Sequence, residues 1–303
     1  MVDRPAAHLA AEIATQPGDW RAVLARVDEA LAVLPPRGAR VAVTGCGTSF
    51  YMAQAYATLR ETSGTGPTDA FAASEYPLGR DYDHVVAISR SGTTTEVIDL
   101  LERLRERSDG PTTTALVATA GTAIPDLATH AFLLPEVDES SVVQTRFATT
   151  TLALLRATLG EDLSAAIADA EAVLAEDGST ALEGVREAEQ VTFVGRGWTV
   201  GLAHEAALKL RESAQFWTES YPAMEYRHGP ISIATTGRAT WAFGEVPAGL
   251  DEDVRATGAH FEHRAIDPLA DLLRVHRLCL AKAEQAGVDP DRPRHLSRSI
   301  ILT

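Results

Sequence analysis

Val41-Ala42-Val43-Thr44-Gly45-Cys46-Gly47-Thr48 and Val191-Thr192-Phe193-Val194-Gly195-Arg196-Gly197-Trp198 read as one pattern written twice, with Gly195 standing 150 residues after Gly45. The match runs on: Tyr51-Met52-Ala53-Gln54-Ala55-Tyr56-Ala57-Thr58-Leu59-Arg60 meets Gly201-Leu202-Ala203-His204-Glu205-Ala206-Ala207-Leu208-Lys209-Leu210, both helix-like and small on one face. Each copy is a β-branched strand, a Gly-x-Gly turn and a helix, the opening unit of a parallel α/β domain. Two tandem three-layer α/β/α domains are expected, each a parallel sheet flanked by helices. An N-terminal helical extension (1–22) precedes the first domain (23–165). Connecting helices and the second domain occupy 166–288, and a tail follows at 289–303. Neither turn is a dinucleotide fingerprint, because Phe50 and Val200 stand where the third glycine belongs, and no Walker lysine follows. NAD and ATP are poor candidates, and no cofactor is expected.

In the first half, apolar runs near Val41, Phe71 and Val85, at 114–117 and at 131–134 read as strands, with helical periodicity at 49–62, 94–107 and 147–159. Residues 161–189 are Ala- and Glu-rich, with breaks at Gly178 and Gly184, and read as connecting helices. In the second half the strands are expected at 191–194, 239–243 and 260–266, and more weakly at 231–234. A helix is expected over 268–286, and the proline-bearing tail should be irregular.

The chain has 303 residues, 45% hydrophobic and 23% charged, an ordinary globular composition that affords a sizeable core. Its 42 acidic against 27 basic residues leave a formal charge of −15, which argues against nucleic acid as a partner and makes an anionic substrate dependent on a local pocket. Two cysteines, Cys46 and Cys279, imply no disulfide framework. No stretch has the length and apolarity of a membrane span, and the N-terminus lacks the pattern of a signal peptide. A cytoplasmic chain with no membrane partner is expected.

The strand Val85-Val86-Ala87-Ile88 runs into Ser89-Arg90-Ser91-Gly92-Thr93-Thr94-Thr95-Glu96. Hydroxyls, backbone N–H groups and the positive end of a helix beginning near Thr94 converge there, and each favours an anion such as phosphate. An ordinary hydroxyl-capped helix start is the plainer alternative.

The chain resembles the tandem sugar isomerase (SIS) family, as in the isomerase half of glutamine–fructose-6-phosphate aminotransferase and related amino-sugar phosphate deaminase/isomerases. Six motifs carry the resemblance: Gly45-Cys46-Gly47-Thr48-Ser49; Ser89-Arg90-Ser91-Gly92-Thr93-Thr94; Val142-Val143-Gln144-Thr145-Arg146; Ala207-Leu208-Lys209-Leu210-Arg211-Glu212; Glu225-Tyr226-Arg227-His228-Gly229-Pro230; and Pro293-Arg294-His295-Leu296-Ser297-Arg298-Ser299. The resemblance implies that Ser89, Ser91 and Thr94 hold a sugar phosphate, with Gly47, Thr48 and Ser49 nearby. Arg90 stands where relatives have a neutral glutamine, and either strengthens anion binding or points to solvent.

By the same resemblance Glu212 is the general base that moves a proton between C1 and C2 of an opened sugar, work suited to a carboxylate. Helical spacing puts Glu205, Leu208 and Glu212 along one face. Lys209 would hold the substrate oxyanion or position Glu212. His228 would open the sugar ring, typically from a neighbouring subunit, which implies at least a homodimer with shared sites. Glu225 either orients His228 or faces water.

Gln144 and Arg298 depart from the pattern. Gln144 replaces a serine near the sugar, and Arg298 replaces a lysine that forms a Schiff base; arginine is a poor imine former. No glutaminase segment precedes the first domain, so glutamine is not expected as nitrogen donor. His260 and His263 flank Glu262, but no third ligand has suitable spacing, and no metal site is expected. The reaction these features imply is aldose–ketose proton transfer on a hexose or amino-hexose 6-phosphate, best glucosamine 6-phosphate to fructose 6-phosphate plus ammonia. Isomerisation of another phosphorylated or sulfonated sugar, or deglycation of a fructosamine phosphate, is the second reading. A non-catalytic sugar-phosphate sensor is the third, and the absence of a helix-turn-helix segment speaks against it.

Overall fold

The computed structural model describes residues 5–178 and 180–302. The first four residues of the expected N-terminal extension, Ser179 of the connecting segment and Thr303 of the tail lie outside the described residues. The chain divides into two compact units, one made of Gly18–Glu139, Arg146–Leu163 and Ser297–Thr303, the other of Met1–Pro17, Ser140–Thr145 and Ser164–Leu296. The first division falls at Pro17–Gly18, inside helix α1 (Ala7–Leu24).

The first of these units holds β1 (Val41–Gly45), β2 (Thr68–Ala72), β3 (His84–Ser89), β4 (Thr112–Val117) and β5 (His130–Leu133), all parallel, in the order β2-β1-β3-β4-β5. Its helices are α2 (Val27–Leu31), α3 (Thr48–Thr62), α4 (Thr95–Arg105), α5 (Ala123–Leu127) and α6 (Arg146–Thr158). Strand β3 is buried along its whole length, as a central parallel strand covered on both faces must be. Val85 and Ala87 of β3 and Ala115 and Val117 of β4 pack with Val97, Leu100, Leu101 and Leu104 of α4. The two-residue strand period thus meets the i, i+3, i+4, i+7 stripe of an amphipathic helix.

The second unit holds α7 (Ser164–Ala175), β6 (Gln190–Gly195), α8 (Thr199–Ala214), β7 (Thr218–Pro222), β8 (Arg238–Phe243), α9 (Leu250–Ala256), β9 (His260–Glu262) and α10 (Pro268–Ala286). Its parallel sheet runs β7-β6-β8-β9, repeating the first four strands of the other sheet. The repeat holds to the residue: Val41 pairs with Thr68 as Val191 pairs with Thr218. The glycines ending β1 and β6 are there for the same reason. A Cβ on Gly45 would lie 2.8 Å from the backbone carbon of Ser49, and one on Gly195 2.5 Å from that of Thr199, so strand and following helix close up only on glycine.

Two expectations are corrected. Residues 231–234 do not form a strand; Pro230–Ile233 is a 3-10 turn whose Ile231 packs against the core around Tyr226 and Leu250. Apolarity there serves packing, and Pro230 removes a ladder donor. The strand expected at 260–266 ends at Glu262, because β9 is an edge and Asp267 already caps α10 by accepting from Leu269 N at 2.8 Å. Strand β7 went unforeseen. The segment after α10 contains no helix or strand among the described residues, in keeping with its prolines.

Candidate functional site

The turn after β3 is not a hydroxyl-capped helix start. Thr94 is the N-cap of α4, yet its side chain caps nothing, and the Thr95 N–H donates to the Ile300 carbonyl at 3.1 Å. The serine hydroxyls instead shape the turn from within: Gly92 N donates to Ser89 Oγ at 3.2 Å, Thr93 N donates to Ser91 Oγ at 3.3 Å, and Ser91 Oγ lies 3.5 Å from Thr94 Oγ1. Hydroxyls and N–H groups thereby gather ahead of a helix N-terminus, the arrangement that accepts anion oxygens. Following the neighbouring strand β1, Thr48 and Ser49 are buried at the start of α3. Gly47 is the N-cap of α3.

The turn depends on Gly92, whose φ is +67° and whose Cβ, if added, would fall 2.0 Å from Thr122 Oγ1. Gly92→Ala is therefore expected to cost about 1–2 kcal/mol for the left-handed backbone, besides displacing Thr122. For an anion held at this turn, the calorimetric affinity should fall roughly tenfold or more in the variant; unchanged affinity would show that the turn does not hold it.

The repeat assigns this chemistry to one unit. Val41 pairs with His84 and Val191 with Ala239, so the register counterpart of Ser89 is Gly244. The matching loop, Gly244-Glu245-Val246-Pro247-Ala248-Gly249, has no hydroxyl, although α9 begins after it at Leu250 just as α4 begins at Thr95.

Arg90 does not point to solvent. Its side chain is buried, with Nη2 donating to the Arg298 carbonyl at 3.1 Å and Nη1 lying 3.7 Å from the buried Glu139 carboxylate. Arg298 in turn donates to the Glu139 carbonyl and to Thr119 Oγ1, and forms an ion pair with Asp138. Neither acid was foreseen as a partner, since no motif marks Asp138 or Glu139.

In the other unit, α8 carries Glu205, Lys209 and Glu212. Lys209 and Glu205 are both 1% exposed at the side chain and 3.7 Å apart, whereas Glu212, in contact with the Lys209 ammonium, keeps 21% of its side chain open. Burial works against the Lys209 charge, but Glu205 and Glu212 more than offset it, holding the ammonium above the ordinary lysine range. The same charge, after burial itself, helps push His276 down to about 3. Gln16 donates an amide hydrogen to His276 Nδ1 at 3.1 Å, which fits a neutral ring. Glu205 as a sealed partner was legible only as an i, i+4 Glu-to-Lys pair. Gln144, in the same unit, has an amide oxygen sealed from solvent and without a hydrogen-bond partner among the described residues.

His228 and Glu225 lie on the 3-10 turn Glu225–His228, both exposed, and no hydrogen bond joins them. Among the described residues no three His, Cys, Asp or Glu side chains converge as a metal site. His260 meets Glu262 at 3.1 Å, while His263 turns to the Gly244 carbonyl. Both thiols are free; burial pushes Cys279 up to about 12. Lys209 and Lys282 are the only lysines of the sequence, and both are buried. No helix among the described residues is long and apolar enough to cross a membrane.

The class is a parallel α/β protein with its candidate chemistry on the carboxyl side of the strands. The SIS domain family model matches residues 37–159. The chain is 27% identical to glutamine–fructose-6-phosphate aminotransferase (isomerizing) of Methanothermobacter thermautotrophicus, over 96% of this chain and 57% of that protein. It is 26% identical to the same enzyme of Symbiobacterium thermophilum, over 87% of this chain and 52% of that protein. The chain thus spans about half the length of these curated relatives. Among solved structures, glucosamine-6-phosphate deaminase of Thermotoga maritima superposes with a TM-score of 0.80 at 20% identity, covering 98% of this chain and 100% of that one. Tagatose-6-phosphate ketose/aldose isomerase of Escherichia coli superposes with a TM-score of 0.80 at 17% identity, covering 95% and 97%. At these identities the superpositions establish the fold.

Proposed function

We propose that this chain is a sugar-phosphate isomerase built from two SIS-type units, the second being the four-stranded repeat, and that it works in the cytoplasm as at least a homodimer. The observation that carries the reading is the hydroxyl turn at residues 89–94, whose Thr94 side chain caps no N–H of its own helix. Ser89, Ser91 and Thr94 take the phosphate of an open-chain hexose 6-phosphate, aided by Gly47, Thr48 and Ser49. Glu212 removes the C2 proton and returns it to C1, Lys209 keeps that carboxylate oriented and its charge compensated, and Gln144 offers its unpartnered amide oxygen to a sugar hydroxyl. His228, with its exposed imidazole, serves ring opening, with Glu225 beside it on the same turn.

Glucosamine 6-phosphate is the substrate this reading favours. With an amino group on C2, the same proton transfer yields a C2 imine, which water hydrolyses to the ketone of fructose 6-phosphate and ammonia. Arg298, engaged by Asp138 and Thr119, favours a second reading in which the site takes another anionic sugar or a fructosamine phosphate. Incubating the protein with glucosamine 6-phosphate in heavy water, while following ammonia and deuterium at the sugar carbons, tests both. Ammonia with fructose 6-phosphate supports the first reading; turnover confined to other phosphorylated, sulfonated or glycated sugars supports the second. Binding with no carbon-bound deuterium and no product across the series would leave only a sensor.

A further inference from the structure

The hydroxyl run from Ser89 to Thr95 divides into two sets. Ser89, Ser91 and Thr94 keep their hydrogen bonds inside the turn. Thr93 and Thr95 face the chain terminus instead: Thr93 Oγ1 donates to Ser299 Oγ at 3.1 Å, Thr95 N donates to the Ile300 carbonyl at 3.1 Å, and Leu302 N donates to Thr95 Oγ1 at 2.9 Å. The tail from Arg298 onward therefore lies beside the anion cradle rather than on it, and takes the first N–H of α4. At its root two arginines fix it. Arg298 reaches Asp138, the Glu139 carbonyl and Thr119 with its guanidinium, while its own carbonyl accepts from Arg90, which pairs with Glu139.

We propose that Arg298 and Asp138, with Arg90 behind them, are positioning residues that lock the C-terminal tail as a wall of the anion site and so set its affinity for sugar phosphates. The ligand half of this proposal rests on the sugar-phosphate reading above. Arg298 is suited to the task because a planar guanidinium serves a carboxylate, a carbonyl and a hydroxyl at once, which a lysine ammonium at the end of a flexible stem does less rigidly. Two basic departures from the family pattern, at 90 and 298, thereby form one device: both converge on residues 138–139 and on each other. A guanidinium so engaged is a structural tie, and it contacts no reacting atom.

The test uses Arg298→Met, Asp138→Asn, their combination and Arg298→Lys in the full chain. Two readouts are followed: hydrogen exchange at the Thr95 and Leu302 amides, whose hydrogen bonds join this segment to α4, and the Kd for glucosamine 6-phosphate by calorimetry. Each single variant is expected to speed exchange at these two amides and to weaken binding about tenfold, the double variant to be little worse than either, and the lysine variant to regain part of both. Where turnover is measurable, KM should rise while kcat stays within about twofold. Unchanged amide exchange overturns the lock, and faster exchange with unaltered Kd overturns the role in affinity. Wild-type protein that binds neither glucosamine 6-phosphate nor another phosphorylated sugar overturns the sugar-phosphate reading, and the ligand half falls with it, while hydrogen exchange separately decides the lock.

Discussion

Glu212→Gln is expected to lower sugar-phosphate isomerisation by 10²- to 10⁴-fold, the usual range for a positioned general base, and to stop exchange of the C2 hydrogen with solvent. The substitution keeps the shape of the side chain and removes its ability to take a proton. It should leave the fold intact, because the buried Lys209 retains Glu205 at 3.7 Å as a counter-charge. Substrate affinity should change little, since the phosphate is assigned to the turn after β3. Measuring C2 exchange in heavy water separates this outcome from a general loss of structure. Exchange at the wild-type rate in the glutamine variant, with its thermal transition unmoved, would remove Glu212 as the base. Of the three charged groups on this face of α8 it is the one with appreciable solvent access, the condition a reacting carboxylate must meet.

The central strands were legible because parallel strands covered on both faces show as β-branched apolar runs, which residues 41–45, 84–89 and 190–195 do. Strand β7 was not, for a physical reason. Thr218-Glu219-Ser220-Tyr221-Pro222 is an edge strand with one neighbour, polar in composition and ended by a proline, so it lacks that signature. The 150-residue repeat nevertheless contained it, since Thr68 opens β2 and Thr218 opens β7. At the site, hydroxyl spacing disclosed the turn, because such chemistry is local in sequence. The destination of Arg90 was not local. Its partners lie at Glu139, 49 residues later, and at Arg298, 208 residues later, and nothing in the turn announces either. From the sequence Arg90 reads equally as an anion ligand or as a solvent-facing side chain, and only the distant carboxylate shows where it lies.

Lys209→Met is the substitution expected to damage the protein most. Burying an ammonium is unfavourable, and here it is offset by two carboxylates, one of them sealed beside it. Removing the cation leaves Glu205, 1% exposed, beside the second acid Glu212, so the loss should approach the 3–5 kcal/mol typical of breaking a buried pair from one side. A double variant carrying Lys209→Met and Glu205→Gln distinguishes that cause from simple loss of contact. With the sealed carboxylate gone as well, a substantial part of the stability should return, because an uncharged amide is less costly to bury than a stranded carboxylate. Urea unfolding of the wild type, both single variants and the pair gives the coupling directly. Additive destabilisation would mean that Lys209 contributes by packing alone, and the picture of α8 as a charge-compensated helix would have to be abandoned. Catalysis should not return with stability in the double variant, since Glu212 then lacks the ammonium that orients it. A stable, inactive protein would separate the fold's need for Lys209 from the reaction's.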